Sequence, residues 1–220
     1  MKQLKKISAL LLAMVTVMTV FLSGCGSSGP DMKISIGDKT FELGCKVGSI
    51  LDAGYVLADA DDVDEIMADP GKIGKRTVIE NGFYLFKNGA PAHVAIYICN
   101  MTVNEVDLKD CVVYGFKYNA GQFRANHNMT GYIKVQFNGI DMRFTDRDTV
   151  LSALESKGFK FKNDEKTNFV KSGDPSSRSY ITATNSSGPV LTIFNDYNFD
   201  NGSRTVNGFQ FYMRNYSISE

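Results

Sequence analysis

The sequence predicts an α+β fold built from two tandem copies of one module, in which a helix lies across an antiparallel sheet. Three observations predict it. "CVVYGFKY" (Cys111–Tyr118) returns 93 positions later as "RTVNGFQF" (Arg204–Phe211), with Val113, Gly115 and Phe116 matched by Val206, Gly208 and Phe209. Two short helical patterns each end in glycine followed by an aromatic. Two pairs of strand-like segments flank turn residues in the same order in both halves.

The elements follow in chain order. "IGDKTFEL" (Ile36–Leu43) and "FNGIDMRF" (Phe137–Phe144) each read as strand, tight glycine turn and strand. In "VGSILDAGY" (Val47–Tyr55), Val47, Ile50 and Leu51 fall at i, i+3 and i+4, and Val150, Ala153 and Leu154 repeat the spacing in "VLSALESKGF" (Val150–Phe159). That spacing places them on one helical face. Gly54 and Gly158 follow where a left-handed terminating residue is wanted, and Tyr55 and Phe159 come next. "FYLFKNGAPAHVAIYICN" (Phe83–Asn100) and "SYITATNSSGPVLTIFN" (Ser179–Asn195) read as hairpins. The last strand carries the glycine of Gly115 or Gly208, which suggests a bulge. The offset between copies changes only between elements, where insertions cost little.

Copy one covers 32–121 and copy two 132–217, joined by a polar Gly/Asn-rich linker over 122–131. Copy one has an extra acidic segment from Ala58 to Lys72, with Val63, Ile66 and Met67 at helical spacing.

The N-terminus is read apart from the fold. Lys2, Lys5 and Lys6 precede an apolar run from Ile7 to Leu22. A basic start before a short apolar core is a secretion signal. The run ends in Leu22-Ser23-Gly24-Cys25, which resembles the lipobox of bacterial lipoproteins. The resemblance implies that residues 1–24 are removed and that Cys25 carries a diacylglycerol. It also implies a location on the outer face of the cytoplasmic membrane. Two acyl chains are enough for stable anchoring. Residues 25–31 form a short tether. The whole is similar to small uncharacterised lipoproteins of Gram-positive-type bacteria. The duplicated plan resembles, in architecture alone, that of beta-lactamase inhibitor protein, and architecture does not carry function.

Removing residues 1–24 takes away three lysines and no acid, leaving 21 basic and 24 acidic residues. No basic stripe argues for nucleic acid. No cofactor motif is present. The chain has two histidines, His93 and His127. His93 and Cys99 lie six residues apart in one predicted strand, about 20 Å by the strand rise, so they form no dyad. Asp59, Asp61, Asp62, Asp64 and Glu65 are weak candidate calcium ligands; the competing reading is an acidic first turn of a helix. Phe209 and Phe211 alternate as core residues of a half-buried strand do.

These features predict a non-catalytic binding or interaction module with a protein or small-ligand partner. The alternatives are an envelope enzyme or accessory subunit with an unrecognised site, and a calcium-binding module. A transport solute-binding protein would need larger α/β lobes. Of the three cysteines left after Cys25, the repeat offsets match Cys45 to Asp146 and Cys111 to Arg204. They predict a Cys45–Cys111 disulfide where copy two has an Asp–Arg pair, with Cys99 free; Cys99–Cys111 is the rival pairing.

Overall fold

The computed structural model describes residues 30–59, 71–120, 133–161, 166–168, 176–184, 189–198 and 204–213. It is mostly antiparallel sheet with two helices, an α+β arrangement. The first half holds β1 (Lys33–Ile36), β2 (Lys39–Glu42), α1 (Val47–Asp52), β3 (Val56–Asp59), β4 (Lys72–Ile73), β5 (Thr77–Lys87), β6 (Ala90–Asn100), β7 (Val106–Asp107), a 3-10 turn (Leu108–Asp110) and β8 (Val112–Asn119). The second holds β9 (Val135–Phe137), β10 (Ile140–Asp141), α2 (Arg147–Glu155), β11 (Lys166–Asn168), β12 (Ser176–Thr184), β13 (Val190–Asn198) and β14 (Arg204–Tyr212).

The helix ends follow the sequence pattern. Gly54 and Gly158 take φ of +85° and +89°. Past each, the Tyr55 amide donates to Ile50 O and the Phe159 amide to Leu154 O, which closes the last turn. At the front of α2, Asp146 accepts hydrogen bonds from the Thr149 amide and hydroxyl, both at 2.9 Å. These bonds favour the carboxylate and hold its pKa below the usual range.

The two halves do not form separate units. One eight-stranded sheet runs β11-β12-β13-β14-β8-β6-β5-β3, and a four-stranded sheet runs β10-β9-β1-β2. Each sheet is therefore closed at its middle by a pair from both halves. The pair β8/β14 sets Tyr118 opposite Phe209 and Phe116 opposite Phe211. The pair β1/β9 sets Ile34 opposite Phe137. One continuous core then takes Ile34, Phe41, Val47 and Ile50 together with Phe137, Val150, Leu154 and Phe209. Both helices and the small sheet thus bury their apolar sides against one face of the large sheet.

Phe137 is the hub of that core. Its ring centroid lies 5.7 Å from Phe159, 5.3 Å from Phe209 and 5.0 Å from Phe211. Phe209 and Phe211 are fully buried, as their alternation suggested.

Both last strands are bulged. Tyr97 pairs with Gly115 and Ile98 with Val113, so Tyr114 is the extra residue. Phe194 pairs with Gly208 and Asn195 with Val206, so Asn207 is the extra residue. The strands β3 and β11, absent from the sequence reading, form the two outer edges of the large sheet.

Candidate binding surface

The residues singled out in sequence fall in different places. Cys25 lies outside the described residues, as do Asp61, Asp62, Asp64 and Glu65. Asp59 is the last residue of β3, opposite Phe83. Among the described residues, no group of three His, Cys, Asp or Glu is placed to hold a metal ion.

In the structure the two cysteine segments meet in a register different from the one a Cys45–Cys111 bridge needs. An antiparallel bridge joins Lys46 to Val112. The Val113 amide donates to Cys45 O, and the Val47 amide donates to Cys111 O. Cys45 therefore faces Val113, and Cys111 faces Val47. The two cysteines are diagonal neighbours, a relation that leaves side chains roughly 7 Å apart, against about 3.5–4.5 Å between Cβ atoms in a disulfide. The rival fares no better. Cys99 pairs with Val112 and packs with Tyr97 and Tyr114, whereas Cys111 belongs to the central core on the opposite face. All three thiols are free in the structure. In the second half Asp146 faces Thr205 and caps α2. Peptide mapping of alkylated protein under non-reducing conditions should recover Cys45, Cys99 and Cys111 unlinked; a Cys45–Cys111 dipeptide would show that the strands slip by two residues.

Burial raises each of these thiols to about 11. None is a thiolate at neutral pH, so none is an activated nucleophile. His93 sits at an irregularity of β6 with φ +55°. It is buried at 4% exposure and six residues from Cys99.

The broadest chemical feature lies on the face of the large sheet turned away from the core. Alternation along β6 sends Val94, Ile96 and Ile98 into the core and Ala95, Tyr97 and Cys99 to the other side. Around them stand Val78, Tyr84 and Phe86 of β5, Val112 and Tyr114 of β8, and Tyr212 of β14; Tyr84, Tyr97 and Tyr114 are buried, and Val78, Phe86, Val112 and Tyr212 are half-buried. The rings of Tyr97 and Tyr114 lie 5.7 Å apart, and those of Tyr97 and Tyr212 6.4 Å apart. The Tyr97 hydroxyl donates to Gln210 Oε1 at 3.1 Å across the seam between halves.

Gly115 makes this arrangement possible. A Cβ there would stand 2.4 Å from Tyr97 Cδ2 and 2.8 Å from Tyr212 Cβ. The missing side chain is the space in which the Tyr97 ring lies. Burial, and then the nearby Glu80 carboxylate, push the Tyr97 and Tyr114 phenols well above the ordinary tyrosine range. They remain neutral hydrogen-bonding groups in any physiological medium.

Two open grooves lie elsewhere. One of about 720 Å³ runs between β2 and α1, lined by residues 39–45 with Ser49, Asp52 and Ala53. The other, about 410 Å³, is lined by Asp38, Tyr55, Lys87 and Lys134 among others. There Lys87 pairs with Asp38 at 3.3 Å and lies 4.9 Å over the Tyr55 ring. Each charge in that groove has a partner in the fold or lies open to solvent, which suits structure more than chemistry.

Sequence reasoning found the alternation of the last strand but not the aromatic face. Tyr84, Tyr97, Tyr114 and Tyr212 come from four strands. Only the strand order brings them together, and no local spacing encodes that order. Comparison with family models, with curated proteins and with solved structures finds no match.

Proposed function

We propose that this chain is a lipid-anchored, extracytoplasmic interaction module without catalysis of its own, and that its partner is a protein seated on the aromatic face of the large sheet. The observation that carries the reading is that face, where half-buried Val78, Phe86, Val112 and Tyr212 surround the buried rings of Tyr84, Tyr97 and Tyr114. Tyrosine brings apolar area, a hydrogen-bonding tip and few rotatable bonds, the combination that protein interfaces favour. The raised thiol pKa values speak against cysteine chemistry. The anchor is supported by Lys2, Lys5 and Lys6, the apolar run and Leu22-Ser23-Gly24-Cys25 in that order, with β1 beginning eight residues after Cys25.

The test uses the full chain in cells. Labelled fatty acid fed to the cells should enter the wild-type chain and not Cys25→Ala. A photoreactive residue at Gln210 should give one discrete adduct that Tyr212→Ala abolishes, while the same residue at Lys157 on the helix side gives none. Equal labelling of the Cys25→Ala variant, or no labelling of the wild type, would remove the anchor. Equal adducts from both positions would remove the face.

We further propose that the two halves descend from one duplicated module, joined into shared sheets rather than strung as separate beads. The mirrored strand order supports this, with β3-β5-β6-β8 on one side of the seam and β11-β12-β13-β14 on the other. So do the matched helix ends at Gly54 and Gly158 and the matched bulges at Gly115 and Gly208. A third match is Phe144. It takes φ +49°, and its amide bonds to Val206 O as the Gly44 amide, at φ +88°, bonds to Val113 O.

A further inference from the structure

Three large apolar residues are exposed among those described: Val56, Met101 and Val103. Two of them sit in the short loop between β6 and β7. Met101 is 45% exposed and Val103 65%.

The loop is held rigid from inside. Asn100 is buried, and its Nδ2 donates to the carbonyls of Ile73, Gly74 and Asn104 at 3.0, 2.8 and 2.8 Å. Its Oδ1 accepts from the Thr102 amide at 3.0 Å and from the Thr102 hydroxyl at 2.8 Å. The Arg76 amide donates to Thr102 O. The ribbon of β4 and β7 closes the base, with Lys72 opposite Asp107 and Ile73 opposite Val106. The Thr102 hydroxyl is thus tied to Asn100, and Met101 and Val103 on either side of it are exposed.

Charge surrounds this tip unevenly. Lys72, Lys75 and Arg76 are exposed on the side that accepts the Asn100 bonds. Glu105 and Asp107 are exposed as well, Asp107 opposite Lys72 in the ribbon and 3.8 Å from Lys109. A run of contacts connects the tip to the start of the fold. Lys33 faces Glu42, the Cys45 amide donates to Glu42 O, Cys45 O accepts from Val113, and Val112 faces Cys99, two residues before Met101.

We propose that this loop is a second membrane contact, in which Met101 and Val103 enter the lipid interface while Lys75 and Arg76 meet anionic headgroups. The proposal rests on the lipid-anchor reading, because a contact of this size holds only when a tether keeps the protein at the surface. Preorganisation by Asn100 spares the ordering cost of a floppy loop. Each basic residue near an anionic leaflet strengthens binding by about fivefold. The contact would fix how the folded part stands on the membrane, and hence which way the aromatic face points.

The experiment supplies its own tether. The chain from Gly26, which carries every described element, is given an N-terminal hexahistidine and held on vesicles of phosphatidylglycerol and phosphatidylcholine containing a nickel-chelating lipid. A fluorophore is attached at Asn104→Cys, whose hydrogen bonds in the loop use its backbone alone, or at Lys157→Cys as control. The native thiols, at about 11, react slowly by comparison. Acyl-brominated lipids should quench the probe at 104 and not at 157. M101S/V103S in the Asn104→Cys background should reduce quenching about fivefold or more, and K75E/R76E should reduce it on anionic vesicles only. Equal quenching at both positions, none at 104, or no effect of M101S/V103S would each overturn the proposal. The outcome does not depend on acylation of Cys25, which the fatty-acid labelling of Cys25→Ala tests by itself.

Discussion

Replacing Phe137 with alanine is expected to destabilise the whole fold by about 3–5 kcal/mol, the usual cost of removing a buried phenylalanine. The midpoint of thermal unfolding should fall by roughly 2–4 °C for each kcal/mol lost in a domain of this size. Phe137 is fully buried and touches rings from β14 and from the segment after α2. Its strand is only three residues long, yet it sits at the centre of the small sheet and pairs with Ile34 of the other half. The loss should therefore appear in both halves at once. Hydrogen exchange should quicken in β6 and β8 as well as in β13 and β14, with one unfolding transition. Phe137→Leu keeps most of the volume and should cost much less. Two resolved transitions, with the first half unaffected, would mean that the halves hold separate cores.

That shared core marks the limit of what the sequence reveals. The helix ends are legible, because Gly54 and Gly158 solve a local steric problem that any chain must solve locally. The bulges are flagged by Gly115 and Gly208, although what excludes a side chain there comes from neighbouring strands. Strand neighbours are not legible. Period-two alternation says that Tyr97 and Ile98 point to opposite faces, but not that β8, paired with β6 of its own half, also pairs with β14 of the other. The aromatic face depends on that choice and so stays hidden.

The cysteines show the same boundary more sharply. The repeat offsets correctly bring the segment of Cys45 to the segment of Cys111, and of Asp146 to that of Arg204. The observed bridges join Lys46 to Val112 and Asp146 to Thr205. What the offsets cannot supply is register. A shift of two residues turns a facing pair into a diagonal one, and a disulfide tolerates no such shift.

Alanine at Gly208 is expected to cost more than alanine at Gly115, although the two positions match in sequence and in pairing. A Cβ at Gly208 would stand 2.4 Å from Tyr118 O and 3.2 Å from Asn119 Cα. Both are backbone atoms of β8, the strand through which the halves join. They can yield only if the seam opens. At Gly115 the nearest atoms are the Tyr97 ring at 2.4 Å and Tyr212 Cβ at 2.8 Å. The ring can turn aside, at the expense of its hydrogen bond to Gln210. Overpacking of this kind costs about 1–3 kcal/mol where side chains can move, and more where they cannot. Gly115→Ala is therefore expected in the lower part of that range, and Gly208→Ala at its top or above. Denaturant unfolding of the two variants gives the order directly. A loss of Tyr97 packing in Gly115→Ala should also lower the near-ultraviolet dichroism, while Gly208→Ala should speed hydrogen exchange along β8 and β14. If neither substitution costs anything, the bulges are not constrained and their match between halves is accidental, which would remove the main support for a duplicated origin. If both are costly in the stated order, one inherited bulge has been put to two uses. In the second half it keeps the joining strands close, and in the first it makes room for the tyrosine at the centre of the proposed binding face.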